Sequence, residues 1–140
     1  MAETRAILTQ SEKDIAILIV EDDTMSRTFL RRILKEEGFT NISAVQDGLE
    51  AQKEITKHRY DVVLLDLQLP GLDGVEVLKL LRQRHARARV MVITSSNERH
   101  VVEQVLEAGA QDYLVKPFAP SVVIERLVRL IRHKGDAKSE

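Results

Sequence analysis

Residues 15–23, Ile15-Ala16-Ile17-Leu18-Ile19-Val20-Glu21-Asp22-Asp23, pass from an unbroken apolar run straight into three carboxylates. Residues 62–66, Val62-Val63-Leu64-Leu65-Asp66, do the same with a single carboxylate. A short run that is apolar at every residue suits a strand covered on both faces, the usual condition of a parallel sheet. As neighbouring parallel strands, the two runs end at one edge of the sheet, beside the crevice where such sheets bind ligands. Glu21, Asp22 and Asp66 then converge there. Carboxylates gathered in one place repel each other unless a cation joins them. A hard divalent ion such as Mg²⁺ takes oxygen donors and also accepts phosphate oxygens, so the pattern points to phosphoryl chemistry.

Outward from these runs, short β-branched or leucine-rich stretches alternate with longer helical patterns five times, the mark of an α/β fold with a parallel sheet. The predicted strands are Ile15–Val20, Asn41–Val45, Val62–Asp66, Val90–Thr94 and Asp112–Val115, with the mixed Asn41–Val45 suited to an edge. Met25, Phe29, Leu30, Ile33 and Leu34 form an apolar stripe on the first helix, which Gly38 is placed to end. Ala51 and Ile55 mark a second helix, and Val75, Leu78 and Leu81 a third. Val101, Val102, Val105 and Leu106 mark a fourth, capped by Ser96 or Asn97 and stopped by Gly109. Pro120 opens a fifth, with Val123, Leu127, Leu130 and Ile131 inward and Arg126, Arg129 and Arg132 elsewhere. Residues 14–133 are expected to form one domain, residues 1–13 a polar tail, and residues 134–140 a tail or truncated linker.

A chain of 140 residues suffices for one sizeable core and no second. Its formal charge of −1 gives no global pull towards nucleic acid or an anionic membrane. The absence of cysteine rules out disulfides, thiolate metal sites and thiol nucleophiles. No apolar run approaches the roughly 18 residues of a membrane-crossing helix. The start, Met1-Ala2-Glu3-Thr4-Arg5, lacks the apolar core of a secretory signal, so a cytoplasmic protein is expected.

The predicted strand ends collect Glu21 and Asp22, then Asp66, Thr94 and Lys116. Carboxylates hold a metal, a hydroxyl donates one hydrogen bond and an ammonium neutralises an outer phosphoryl oxygen. A carboxylate such as Asp66 can itself attack phosphorus, giving an aspartyl phosphate. Asp23 or Thr24 serves more simply as a helix cap. Taken singly, Lys116 is an ordinary surface lysine, Thr94 a strand threonine and Tyr113 a core or edge aromatic; their place in the set promotes them.

In this order and on these elements, the residues resemble the receiver domain of two-component response regulators, over roughly residues 14–133. Glu21 and Asp22 match that family's acidic pair, Asp66 its phosphoacceptor, Thr94 its hydroxyl, Lys116 its phosphate-contacting lysine and Tyr113 its switch aromatic. Leu69-Pro70-Gly71-Leu72-Asp73-Gly74 is similar to its loop after the acceptor, and Lys116-Pro117-Phe118 to its lysine-proline-phenylalanine motif. The resemblance implies a flavodoxin-like (βα)5 fold, with a parallel sheet in order 2-1-3-4-5 and helices on both faces. It implies Mg²⁺ held by Glu21, Asp22, Asp66 and the Gln68 backbone carbonyl. Gln68 and Ser96 take the positions that look towards the phosphoryl group, and a cis Lys116-Pro117 bond aims the lysine.

The function implied is a signalling switch rather than an enzyme turning over substrates. A sensor histidine kinase or histidine phosphotransfer protein donates to Asp66. Thr94 and Tyr113 then reset the face made by the fourth and fifth predicted helices and the fifth strand. A downstream protein, a fused output domain or a phosphorylation-dependent homodimer reads that face, with no membrane and no direct nucleic-acid contact by this domain. Little sequence follows Ile131, so the alternative is an isolated N-terminal receiver of a longer regulator with a DNA-binding or enzymatic output. An aspartate-nucleophile phosphohydrolase fits less well, because Gln68 stands where that class wants a second aspartate. In a flavodoxin-type carrier, Glu21-Asp22-Asp23 would repel the flavin phosphate. His58, His85, His100 and His133 share no metal-ligand spacing, and Arg82, Arg84, Arg87 and Arg89 lack interleaved aromatics; both groups read as solvated surface.

Overall fold

The computed structural model describes residues 7–133. The chain runs α1 (Gln10–Lys13), β1 (Ala16–Val20), α2 (Thr24–Glu37), β2 (Asn41–Val45), α3 (Gly48–Lys57), β3 (Val62–Leu65), α4 (Gly74–Arg84), β4 (Arg89–Thr94), α5 (Arg99–Glu107), β5 (Asp112–Val115) and α6 (Pro120–Arg132). All strands pair in parallel in the order β2-β1-β3-β4-β5, which puts Asn41–Val45 on an edge as its mixed composition requires. Val20 pairs with Leu65 and Leu65 with Val92, so Glu21 and Asp66 leave the sheet at the same level.

Alternate side chains of the central strands feed two cores. Ile17, Ile19, Leu64, Met91 and Ile93 meet α2 and α6 on one face. Leu18, Val20, Val63, Leu65, Val90 and Val92 meet α3, α4 and α5 on the other. Each such residue, fully buried, is worth about 1.5–3 kcal/mol. That both faces are covered explains why the strand sequences show no polar alternation.

Four local features differ from the sequence reading. Met25 and Phe29, read as part of the buried stripe of α2, are 81% and 42% exposed. Both stand to one side of the buried stripe of Leu30, Ile33 and Leu34; Phe29 stacks instead on Phe118, with ring centroids 6.2 Å apart. Helix α5 begins at Arg99, and its N-cap Glu98 makes no side-chain cap bond, so neither Ser96 nor Asn97 caps it. His85 is half-buried, its Nε2 2.8 Å from the Ile55 carbonyl, which ties α4 to α3. Arg82 leaves the expected solvated patch to donate to the carbonyls of Gly109 and Ala86 and to Gln111 Oε1.

The stretch read as an N-terminal tail folds over part of its length. Thr9 and Glu12 close a capping box on α1, and Leu8 is 7% exposed within the first core. Glu12 also accepts two hydrogen bonds from the Arg132 guanidinium, at 2.7 and 2.9 Å, fastening α1 to the last turn of α6. Arg132 first, and the Thr9 N–H second, pull the Glu12 carboxyl down from 4.5 to about 2. A carboxyl depressed on folding stabilises the fold above its unfolded pKa and loses that contribution as pH falls through its folded value. Glu12→Gln is therefore expected to unfold at lower urea concentration than wild type at neutral pH. The gap should close between about pH 4.5 and about pH 2; a gap independent of pH would contradict the ion pair.

Candidate functional site

At the carboxyl edge of the sheet, Glu21 and Asp66 are 2% and 5% exposed, and Asp22 lies beside them in solvent. Carboxylate oxygens of the three approach one another within 4.8 Å. The Lys116 ammonium bridges two of them, 2.7 Å from Glu21 Oε1 and 2.9 Å from Asp66 Oδ2. It reaches them from the end of β5, and the Lys116-Pro117 bond that follows is cis. The remaining oxygens of that pair take backbone donors: Glu21 Oε2 from the Asp23 N–H at 3.1 Å, Asp66 Oδ1 from the Gln68 N–H at 3.0 Å. Asp23 itself caps α2 through the Ser26 N–H, the simpler of its two readings.

Burial raises the Glu21 carboxyl above its ordinary value, and the Asp66 charge adds to the rise, against the pull of Lys116 and the Asp23 N–H. Burial works against the Lys116 charge as well, yet Glu21 and Asp66 together outweigh it and hold the ammonium above the usual lysine range. Three carboxylates thus gather around one ammonium that bonds to two of them. An all-oxygen donor set with this surplus of negative charge fits a hard divalent cation.

Thr94, at the end of β4, is 0% exposed, and its hydroxyl is the buried side-chain group without a partner among the described residues. A buried hydroxyl left unpaired costs about 1–3 kcal/mol, so at the end of β4, the strand paired with the one that leads into Asp66, it is suited to an incoming acceptor. Ser95, next to it, donates across the mouth to Gln68 Oε1 at 3.0 Å. Tyr113 is half-buried on β5 and donates its hydroxyl to the Ser96 carbonyl, tying the β4–α5 loop to the edge strand. Arg27, which the sequence reading passed over, donates to the carbonyls of Glu21 and Asp22. The structure therefore brings Glu21, Asp22, Asp66 and Lys116 together, puts Thr94 at the end of the neighbouring strand and links Tyr113 to the loop that follows it.

The family model for the response regulator receiver domain matches residues 17–128. The chain belongs to this family. Among curated relatives, it is 39% identical over 116 residues to the transcriptional regulatory protein ResD of Bacillus subtilis, covering 83% of this chain and 48% of ResD. It is 32% identical over 111 residues to the chemotaxis protein CheY of the same organism, covering 79% of this chain and 92% of CheY. The matched segment thus spans about half of one relative and nearly all of the other. Among solved structures, the receiver domain of the Pseudomonas aeruginosa sensor histidine kinase PA1611, with magnesium in its active-site cleft, superposes with a TM-score of 0.77 at 32% identity. That match covers 84% of this chain and 98% of that one. A CheY-like receiver domain protein from Methanospirillum hungatei gives 0.82 at 25% identity, covering 86% and 95%. This receiver domain is a signalling module rather than an enzyme of the ordinary kind. Among its described residues, no helix is long and apolar enough to cross a membrane.

Proposed function

We propose that this receiver domain accepts a phosphoryl group on Asp66 from a phosphohistidine, on a sensor histidine kinase or a histidine phosphotransfer protein. The observation that carries the reading is the buried Asp66 carboxylate, held by Lys116 within reach of Glu21 and Asp22. An Asp66 oxygen attacks phosphorus, the P–N bond breaks, and the imidazole leaves with the electron pair and takes a proton from solvent. Glu21, Asp22, Asp66 and the Gln68 carbonyl would hold Mg²⁺, which when bound neutralises charge on the transferring group. Lys116 is placed to exchange a carboxylate for a phosphoryl oxygen, and the orphaned Thr94 hydroxyl gains its acceptor there. Because Ser96 follows Thr94 and bonds to Tyr113, a shift of Thr94 passes to β5 and the α5–β5–α6 face. A downstream protein, a fused output domain or a second copy would read that face.

The test is incubation with a small acyl phosphate, followed by intact mass. Wild type is expected to gain one acid-stable, base-labile phosphate with Mg²⁺ and none with chelator, and Asp66→Asn none at all. Labelling of Asp66→Asn at the wild-type rate would overturn the assignment.

A further inference from the structure

Of the three carboxylates, Asp22 is the one whose aim depends on its backbone. Glu21 is held by Lys116 and the Asp23 N–H, and Asp66 by Lys116 and the Gln68 N–H. Asp22 is exposed, and its carboxylate takes no hydrogen bond among the described residues. Its peptide carbonyl and that of Glu21 lie past the last rung of β1, where the Glu21 N–H still bonds to Val45 but the chain then turns into α2. One nitrogen of Arg27, Nη1, donates to both carbonyls, at 2.8 Å to Glu21 and 3.2 Å to Asp22, while Nη2 lies 3.4 Å from Thr24 Oγ1. The two peptide planes flanking the Asp22 Cα are thereby fixed together, and with them the direction of its Cβ.

The location of this guanidinium is informative. It projects from the first turns of α2, where the helix dipole disfavours a cation, and its bonds all go to neutral oxygens. A positive charge beside three acids opposes the entry of a second cation by simple electrostatics. Geometry gives it a role there: the planar fork of an arginine spans two carbonyls and a hydroxyl as an ammonium cannot.

We propose that Arg27 is a positioning residue for the divalent-cation site, setting Asp22 to face Glu21 and Asp66 by clamping the turn after β1. The inference rests on the metal reading of those three acids. It carries a sign that separates it from a charge effect. If Arg27 acted through its charge, Arg27→Ala would bind Mg²⁺ more tightly and Arg27→Lys as wild type does. As a clamp, its loss weakens binding in both variants, since removing a residue that orients a ligand typically costs about tenfold or more in metal affinity.

The experiment is calorimetric titration of Mg²⁺ into wild type, Arg27→Ala and Arg27→Lys, with urea unfolding in chelator to confirm that each variant is folded. Phosphorylation by a small acyl phosphate at saturating Mg²⁺ provides a second readout. The expected result is Mg²⁺ affinity about tenfold lower in Arg27→Ala, lower also in Arg27→Lys, with labelling rates near wild type once Mg²⁺ saturates. Unchanged or tighter Mg²⁺ binding in Arg27→Ala, with wild type binding normally, overturns this proposal alone. A wild type that takes up no Mg²⁺ overturns the metal reading and this proposal with it.

Discussion

Lys116→Met is expected to unfold at distinctly lower urea concentration than wild type when no divalent cation is present, and to recover most of the loss when Mg²⁺ is added. The lysine stands between two carboxylates that are 2% and 5% exposed. Removing it leaves them facing each other and Asp22 with no cation bonded to either carboxylate. Stripping one partner from an enclosed ion pair costs about 3–5 kcal/mol. Lys116 keeps 21% of its side chain in solvent, so water returns part of that and a loss of about 2 kcal/mol is expected. The sign with pH follows from the raised lysine pKa. Its contribution is complete below the ordinary lysine value and is lost as pH rises through the folded one. In Lys116→Met the Glu21 carboxyl, already raised by burial, can relieve the repulsion by taking up a proton, so the deficit should shrink as pH falls into the carboxylate range. Equal stability of variant and wild type in chelator at neutral pH would contradict the electrostatic account.

Gly48→Ala is expected to be the other large loss, although it adds a single methyl group. A Cβ at Gly48 would lie 1.9 Å from the Leu72 carbonyl oxygen and 2.6 Å from its carbon. These are backbone atoms, so no rotamer change relieves the clash. Either the start of α3 or the loop after Asp66 must move. That loop is already clasped at its far end, where a Cβ on Gly74 would meet Leu67 Cα at 2.6 Å and the Asp66 carbonyl at 2.8 Å. Overpacking of this kind costs about 1–3 kcal/mol, and more where backbone must separate. The displaced loop includes Gln68, whose N–H holds Asp66 Oδ1. Gly48→Ala should therefore lose stability in urea and also take up phosphate more slowly from a small donor; wild-type values of both would refute the close packing.

The parts of the molecule legible in the sequence are those whose cause is local. β1 and β3 read clearly because strands buried on both faces are apolar at every position, and the acids that follow them mark where the sheet ends. Glu21, Asp22, Asp66, Thr94 and Lys116 could be collected because parallel strands all finish at one edge. What could not be read depends on distant partners. Helical spacing put Met25 and Phe29 on the apolar face of α2, but spacing does not say how the helix is turned on the sheet, and the buried stripe is Leu30, Ile33 and Leu34. His85 and Arg82 bond to carbonyls 30 and 27 residues away, and carbonyls carry no sequence signature. The four residues of α1 show no apolar stripe, yet Thr9 and Glu12 stand at capping-box spacing, a signal that was present in the sequence. Arg27 carried a fainter one, a cation in the opening turns of a helix, where the dipole argues against it.

The central claim is that Asp66 is the residue that receives phosphate, and chemical trapping tests it most directly. Protein phosphorylated by a small acyl phosphate with Mg²⁺ is reduced with borohydride, which converts an aspartyl phosphate to homoserine, and is then digested and sequenced by mass spectrometry. The account predicts homoserine at position 66 and unmodified aspartate at positions 22, 23 and 73. Homoserine at any of those other positions, or phosphorylated protein with aspartate intact at 66, would contradict it.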